Sequence, residues 1–288
     1  MIPASVTAFC PGHISGYFKR VDGRDPATTG SIGAGIVISK GVTATVKPAG
    51  STSVIVRMEP GNGMPVEISR SSPPLSSALD VLDATVSVET LCRLPISAGF
   101  GLSAAALLAT LTATNRLLDL GLTADGIAGL AHETEVKFRT GLGDVAACQG
   151  GGRVVRTGAG IHGTIIRSFD LDEPLYTVCF GPIHTPDVLG SSEQMARVSA
   201  AFPARQPKTT ADFFACCREF SKQSGLETPA VKKVLEECDR NHVPAAMTML
   251  GDGIFAYGMR AAGVLRPFGE VYEMHMAESG TRILEVAK

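Results

Sequence analysis

Tryptophan is absent from the 288 residues, whereas glycine occurs 32 times. Tight turns therefore matter more in this chain than large aromatic binding surfaces. An excess of charge of one sign is also lacking, because 26 Lys and Arg residues stand against 28 Asp and Glu, which gives a net charge of −2. Without a broad basic field the chain is not expected to bind nucleic acid or an anionic lipid surface. Any anion that it binds must meet a local site.

Long hydrophobic runs are missing as well. No run approaches the roughly 20 apolar residues that span a bilayer, and the first residues, MIPASVTAFCPG, contain no charged leader ahead of a long apolar stretch. We therefore expect no membrane association and a cytoplasmic location. The seven cysteines are odd in number, scattered and without the short paired spacing of zinc sites, which indicates reduced thiols in the core.

Predicted strands and helices divide the chain into two parts. The first part has strands at 33–39, 42–46 and 53–58, a turn at 60–63, helices at 75–91, 103–120 and 124–138, and strands at 153–157 and 164–168. The second part has a strand at 175–180, helices near 210–223, 229–241 and 244–262, and strands near 270–276 and 282–286. We expect an α+β chain with two domains, a mixed-sheet domain over residues 1–168 and a smaller α+β sandwich over 169–288.

The segment PISAGFGLSAAA, residues 95–106, has the features of a phosphate-binding loop at the start of a helix. Gly99 and Gly101 allow close backbone approach, and the alanines after them favour a helix. A helix start offers unpaired N–H groups and partial positive charge, and Ser103 adds a hydroxyl for a phosphate oxygen or Mg²⁺. The segment predicts an ATP-dependent small-molecule kinase. On two glycines alone, a plain turn into a buried helix is an equally good interpretation.

A second candidate cluster is the segment AHETEVKFRTGLGDVAA. His132 and Glu135 lie three residues apart on one helix face with small alanines, and Asp144 follows a Gly-Leu-Gly turn that can return the chain to the same place. Phosphoryl transfer needs one carboxylate for Mg²⁺ and another near the acceptor hydroxyl, and Glu135 and Asp144 fit those tasks. The alternative is an ordinary amphipathic helix on which His132, Glu133 and Glu135 are solvated.

Pro95, Gly99, Gly101, Ser103 and Ala104 resemble the central phosphate-binding motif of the GHMP kinases, the group that contains galactokinase, homoserine kinase, mevalonate kinase and phosphomevalonate kinase. The resemblance implies that ATP binds on the loop formed by Pro95, Ser97, Ala98, Gly99, Phe100, Gly101, Leu102, Ser103 and Ala104. The family usually has two serines after the last glycine, where this chain has Leu102 and then Ser103. The retained serine matches the one that faces phosphate and metal.

The same resemblance implies roles for the acidic residues. Ser103 and Glu135 would hold Mg²⁺, and Asp144 would act as the base on the substrate hydroxyl or orient that base. These three residues are the predicted catalytic set. Glu133 is an alternative to Glu135 as metal ligand, because the spacing varies within the family.

Five stretches, AFCPGHISGYFKRV, GSIGAGIVI, AHETEV, GLGDVAA and GGRVVRTGAG, are together most similar to the archaeal pantoate kinases, which phosphorylate (R)-pantoate on the route to coenzyme A. Pantoate carries a carboxylate and two hydroxyls. Arg156 could bind the carboxylate in bidentate fashion, although a lone arginine on a strand is more often a surface charge. Ser31 and His132 could bind the hydroxyl or carboxylate end, and His13 of the first stretch is also predicted to bind substrate.

The third family motif is present only in weakened form, as MLGDGIFAYG at residues 249–258. Gly251 and Gly253 either close over the nucleotide or form a break before a packed helix. Alternative functions are a GHMP kinase with a shikimate, homoserine or mevalonate-type acceptor, an archaeal enzyme that joins a ribosyl group to aminobenzoate, or a nucleotide sensor without chemistry. The joint presence of Ser103, Glu135 and Asp144 argues against a sensor. The resemblance further implies a homodimer.

Overall fold

The computed structural model describes residues 3–59, 61, 63–181 and 190–288, so that residues 60 and 62 of the predicted turn lie outside the described residues. The strands are β1 (Ser5–Val21), β2 (Gly30–Pro48), β3 (Ser53–Met58), β4 (Val66–Ser69), β5 (Val86–Cys92), β6 (Arg153–Arg156), β7 (Ile165–Ser168), β8 (Leu175–Gly181), β9 (Ala245–Met247), β10 (Asp252–Tyr257), β11 (Tyr272–Met274) and β12 (Arg282–Ala287). The helices are α1 (Pro73–Val81), α2 (Leu102–Leu118), α3 (Ala124–Phe138), α4 (Asp144–Cys148), α5 (Ser192–Ala200), α6 (Thr210–Ser224), α7 (Pro229–Arg240) and α8 (Ala261–Leu265).

The larger sheet is built on the long antiparallel pair β1 and β2. Its main order is β12-β1-β2-β5-β3-β4, and β6 and β7 extend from β2 along a second branch. The pairing of β3 with β5 is parallel and the other pairings are antiparallel, which makes the sheet mixed, as expected. The branching gives β2 three partners, β1 along one edge and β5 and β6 along the other.

The smaller sheet is antiparallel, in the order β11-β8-β10-β9, and α6, α7 and α8 pack against its strands or their neighbours. The chain then returns to the larger sheet, since β12 pairs with β1 from Ser5↔Ala287 to Phe9↔Arg282. Along the chain, the strands of the larger sheet other than β12 end by residue 168, and the strands of the smaller sheet come after it. The domain division at that residue stays a prediction.

Helix α2 forms the centre of the larger part. Its alanine and leucine side chains are buried on most of its circumference, because the helix packs on β1 and β2 and is flanked by α1, α3 and α4. The next helix, α3, begins as predicted, with the Thr123 hydroxyl accepting a hydrogen bond from the backbone N–H of Gly126 at 3.1 Å. No described helix is long and apolar enough to cross a membrane.

Two predicted helices are wrong. Residues 75–91 divide into the short helix α1 and the strand β5, where Val86, Val88 and Cys92 are buried in alternation with more exposed residues. That alternation has the period of a strand, which the apolar content of the segment concealed. Residues 244–262 contain β9 and β10 instead of a helix. The run Gly253–Ala256 is buried on both faces, so that it has no alternation to mark it as a strand.

The N-terminal strands are longer than predicted. The segments 33–39 and 42–46 belong to one strand, β2, and β1 is continuous from Ser5 to Val21, ahead of the first predicted strand. Pro11 and Gly12 interrupt the strand pattern of β1, and the structure accommodates them at a shift in its register with β2. All seven cysteines are free, and all but the half-buried Cys179 are buried, which confirms the predicted reduced core thiols.

Candidate active site

A cavity of about 430 Å³ opens at the N-terminus of α2. Its polar lining includes Ser31, Ser103, Asp144 and Arg156, which come from β2, α2, α4 and β6. Apolar side chains of β3, β4, α1 and α2 line it as well, together with serines between β4 and α1. A cavity that combines apolar walls with a few convergent polar groups is the usual form of a small-molecule site.

The glycine loop connects β5 to α2 and bends sharply before the helix. Ser97, Gly99 and Gly101 all have positive φ, of 62°, 84° and 60°. Gly101 is the N-cap of α2 in the left-handed region, where glycine is favoured, and it provides no side chain to cap the first N–H groups. Those N–H groups are available to an anion. Of the nine predicted loop residues, six line the cavity, namely Ser97, Gly99, Phe100, Gly101, Leu102 and Ser103.

The turn between β9 and β10 contacts the glycine loop. A Cβ atom at Gly251 would overlap the Ala98 carbonyl group, and a Cβ at Gly99 would lie 2.8 Å from the carbonyl oxygen of Met249. Met249 and Leu250 line the cavity beside the loop. The weakened third motif is therefore a strand-connecting turn against the glycine loop, and the proposed break before a packed helix is wrong.

Glu135 faces inward from α3 and is 1% exposed, whereas Glu133 on the same helix is exposed. The Oε1 atom of Glu135 accepts a hydrogen bond from the Thr140 hydroxyl at 3.1 Å, and its Oε2 atom has no hydrogen-bond partner among the described residues. Burial and the nearby Asp144 carboxylate raise the pKa of Glu135 to about 8, against the opposing hydrogen bonds from Ser103 and Thr140. The structure favours Glu135 over Glu133 as a site residue, and its raised pKa favours the protonated form of Glu135.

Asp144 begins α4 directly after the Gly-Leu-Gly turn. Its Oδ1 atom lies 2.7 Å from Nδ1 of His13, and 21% of its side chain is exposed. Burial alone would raise the pKa of Asp144, but the hydrogen bond from His13 and the charge of Arg156 outweigh burial and lower it. The two carboxyl groups are therefore shifted in opposite directions, with Asp144 ionised and Glu135 protonated.

The glycines of the turn leave room for these side chains. A Cβ atom at Gly141 would overlap Oε2 of Glu135 and would lie 3.0 Å from Oδ2 of Asp144. A Cβ at Gly143 would lie 2.5 Å from the Ser31 hydroxyl and 2.6 Å from the Arg156 guanidinium. Any larger residue at either position would displace the polar groups of the cavity.

Arg156 is a buried residue of the cavity wall, so that the alternative of a surface charge is wrong. It is 2% exposed. Its Nη1 donates to the carbonyl oxygen of Gly143 at 2.6 Å, and its Nη2 donates to the Ser31 hydroxyl at 3.4 Å. Its Nε has no hydrogen-bond partner in the described part of the chain. A buried guanidinium with an unused donor can bind a carboxylate ligand.

The two predicted histidines lie behind the cavity wall. Neither His13 nor His132 is among the described residues that line the cavity. His132 is buried, and its Nε2 donates to the carbonyl oxygen of Thr29 at 2.8 Å, two residues before Ser31. The cavity lining therefore brings together Ser31, Ser103, Asp144 and Arg156. Glu135 and His13 are buried beside Asp144, whereas His132 contacts the Thr29 carbonyl instead.

Sequence reasoning missed Thr140, which donates to Glu135, and the contact between His13 and Asp144. The position of Thr140 directly before the Gly-Leu-Gly turn could have indicated the first contact. The second joins residues 131 positions apart, and no spacing in the sequence indicates it.

Comparison with known proteins places this geometry in a family. Residues 74–152 match the family described as GHMP kinases N terminal domain. A pantoate kinase from Methanospirillum hungatei is 45% identical over 279 residues, which cover 97% of this chain and 96% of that protein. The chain belongs to the GHMP kinase family.

A second relative and a solved structure agree with this membership. A pantoate kinase from Thermococcus kodakarensis is 31% identical over 274 residues, 87% of each protein. A solved structure described as a phosphotransferase related to the CoA biosynthesis pathway superposes with a TM-score of 0.76 at 26% identity, covering 97% of this chain and 98% of that one. The predicted GHMP kinase fold, the α+β class and the ATP-dependent kinase activity are thereby confirmed.

Proposed function

We propose that this GHMP kinase transfers the γ-phosphoryl group of Mg-ATP to (R)-pantoate and forms 4-phosphopantoate, in the archaeal pathway to coenzyme A. Two relatives that match most of the chain are pantoate kinases. The observation that carries the proposal is the buried Arg156 in the same cavity as the ionised Asp144. The acceptor that suits such a pair has both a carboxylate and a hydroxyl, as pantoate has.

ATP would bind with its phosphates on the N-terminus of α2. The loop contributes backbone N–H groups in place of the lysine of a P-loop, and the partial positive charge of the helix end stabilises the phosphates. Apolar residues from β3, β4 and α1 line the same cavity and could cover the nucleoside.

Ser103 and Glu135 suit a hard cation such as Mg²⁺. Both supply oxygen atoms, and the buried Oε2 of Glu135 has no hydrogen-bond partner in the described ranges. Bound Mg²⁺ would neutralise charge on the phosphoryl group during transfer. Glu135 has to release its proton before it can act as a ligand, because metal ligands bind deprotonated.

Asp144 would act on the acceptor. Its carboxylate accepts the proton of the pantoate 4-hydroxyl while the hydroxyl oxygen bonds to the γ-phosphorus, the bond from that phosphorus to the bridging oxygen breaks, and ADP leaves. Arg156 and Ser31 would hold the pantoate carboxylate and orient the hydroxyl towards Asp144. His132 would support Ser31 through the Thr29 carbonyl.

Turnover with a panel of acceptors tests the proposal. Purified protein with Mg-ATP is offered pantoate, homoserine, shikimate and mevalonate, and release of ADP is measured for each. We expect the highest kcat/KM with pantoate. Equal turnover of all four acceptors would contradict the pantoate assignment, and no turnover with any of them would favour the sensor or the ribosyl-transferring alternative.

A homodimer and a cytoplasmic location stay predictions. Light scattering coupled to size-exclusion chromatography tests the first, because a dimer of the 30.0 kDa chain elutes with twice that mass. Fractionation of the source cells tests the second.

A further inference from the structure

His13 lies at an irregular point of the larger sheet. The register between β1 and β2 shifts between Pro11 and Gly12 and again between Ser15 and Tyr17, so that two irregularities enclose the residue. Bulges of this kind redirect side chains and often lie next to active sites. The His13 side chain is fully buried, and it is not one of the described residues that line the cavity.

Two atoms of His13 contact the phosphate loop and the base. Its backbone N–H donates to the carbonyl oxygen of Phe100 at 2.9 Å, and its ring Nδ1 lies 2.7 Å from Oδ1 of Asp144. Between these contacts lies Gly101, where a Cβ atom would be 3.2 Å from both the His13 carbonyl oxygen and Asp144 Oδ1. One residue thus fixes the distance between the loop that would hold phosphate and the carboxylate that would take the proton.

The imidazole ring is held on its other side as well. Its Nε2 faces Gly35 of β2, where a Cβ atom would overlap both that nitrogen and the carbonyl oxygen of Ile14. Nε2 has no hydrogen-bond partner among residues that the structure describes. Burial lowers the pKa of His13, which is consistent with a neutral ring whose proton resides on Nδ1 and is donated to Asp144.

We propose that His13 is a positioning residue: the Nδ1–H group holds Oδ1 of Asp144 at a fixed distance from the phosphate loop and leaves the other carboxylate oxygen for the acceptor hydroxyl. The inference rests on the proposed role of Asp144 as the base for pantoate. It replaces the sequence-based prediction that His13 binds substrate. In-line transfer depends on this kind of fixed distance, because a displacement of about 1 Å can cost a factor of about 100 in rate.

Three variants separate positioning from packing. In His13→Asn the side-chain amide nitrogen takes the place of Nδ1, whereas in the slightly longer His13→Gln it takes the place of Nε2. His13→Ala removes both nitrogens. Steady-state kcat and KM for pantoate and for Mg-ATP are measured for each variant and for the unchanged protein, and thermal unfolding reports whether each variant is folded.

We expect His13→Gln and His13→Ala to lower kcat by about 100-fold, with both KM values changed less than about threefold. The kcat of His13→Asn should be about tenfold or more above that of these two variants. Equal kcat for the Asn and Gln variants would overturn the inference, and so would a rise in KM for pantoate without a loss of kcat, which would indicate a substrate contact. If His13→Ala does not fold, the matched Asn and Gln variants still decide.

A double-mutant cycle provides an independent test. If His13 acts through Asp144, then adding His13→Gln to Asp144→Asn should lower kcat by less than about threefold, because the interaction has already been removed. An additive loss of about 100-fold would overturn the inference. Failure of the unchanged protein to phosphorylate pantoate would contradict the proposed function. If the unchanged protein is active but the His13 variants keep its kcat, only the role of His13 is contradicted.

Discussion

Replacing Glu135 by glutamine is expected to stabilise the fold and to abolish activity. The carboxyl group is buried next to Asp144, and these two features raise the pKa of Glu135 to about 8 from its ordinary value of 4.5. Between those values the folded protein keeps a proton that the unfolded chain has released. Stability from this group is therefore fully present below pH 4.5 and is lost as the pH rises towards 8. Glutamine cannot titrate and carries no such loss.

The size of the effect follows from the pKa change. Each pH unit between 4.5 and 8 removes about 1.4 kcal/mol from the free energy of unfolding, or about 3 kcal/mol by pH 7. Burial lowers the pKa of His13 and of His132, so that these groups act in the opposite direction near pH 6.5. They are present in both proteins, and their contribution cancels in the difference between variant and parent. That difference should grow with pH up to about 8 and then level off.

Urea unfolding at five pH values from 5 to 9, in EDTA and without nucleotide, measures the difference. Glu133→Gln is the matched control, because Glu133 lies exposed two residues away on the same helix. For Glu133→Gln we expect a difference from the parent in the free energy of unfolding that does not change with pH. For Glu135→Gln we expect a kcat at least about 100-fold below that of the parent, since a lost metal ligand is worth several kcal/mol. A stability difference for Glu135→Gln that does not change with pH, or a control that behaves like that variant, would refute the reasoning.

Three other variants test neighbouring parts of the site. Asp144→Asn should lower kcat by about two decades or more while calorimetry shows nearly unchanged nucleotide binding; unchanged turnover would remove the assignment of the base. Arg156→Lys should raise KM for pantoate about tenfold or more but leave KM for ATP unchanged, whereas Arg153→Lys, on the same strand but paired with an aspartate outside the cavity, should leave both KM values unchanged. Gly251→Ala should overlap the glycine loop, lower the free energy of unfolding by about 1–3 kcal/mol and raise KM for ATP; Gly263→Ala, where a Cβ meets no atom within 4 Å, should do neither.

The parts of the fold that depend on local sequence were predictable. Helices α2 and α3 were predicted within about two residues, because alanine and leucine propensity and the Thr123 cap are encoded locally. Strand β5 was missed because its partners β2 and β3 lie far away in the chain, and a short apolar run does not reveal such pairing. Strands β9 and β10 pair with each other across a short turn, but the buried run in β10 lacks the alternation that marks a strand.

In the candidate site too, some features follow from the local sequence and others depend on long-range contacts. The inward direction of Glu135 follows from helix periodicity, and its partner Thr140 lies five residues away in the chain. The contact of His13 with Asp144 depends instead on the register of β1 against β2, on two irregularities in that register and on the path of the chain through α2 and α3. A one-residue slip would direct the imidazole to the other face of the sheet. Such a contact can be seen only in the folded chain.

The charges of the site are consistent with the proposal that the glycine loop binds phosphate without a lysine. Before ligands bind, the buried groups of the cavity balance, because Arg156 is positive, Asp144 is negative and Glu135 is protonated. A fixed lysine on the loop would add an uncompensated buried charge to this arrangement, which is costly. The helix N-terminus supplies only partial charge, and a cation that arrives with the nucleotide would take the place of the Glu135 proton. Positive charge then enters the site together with the phosphates that need it.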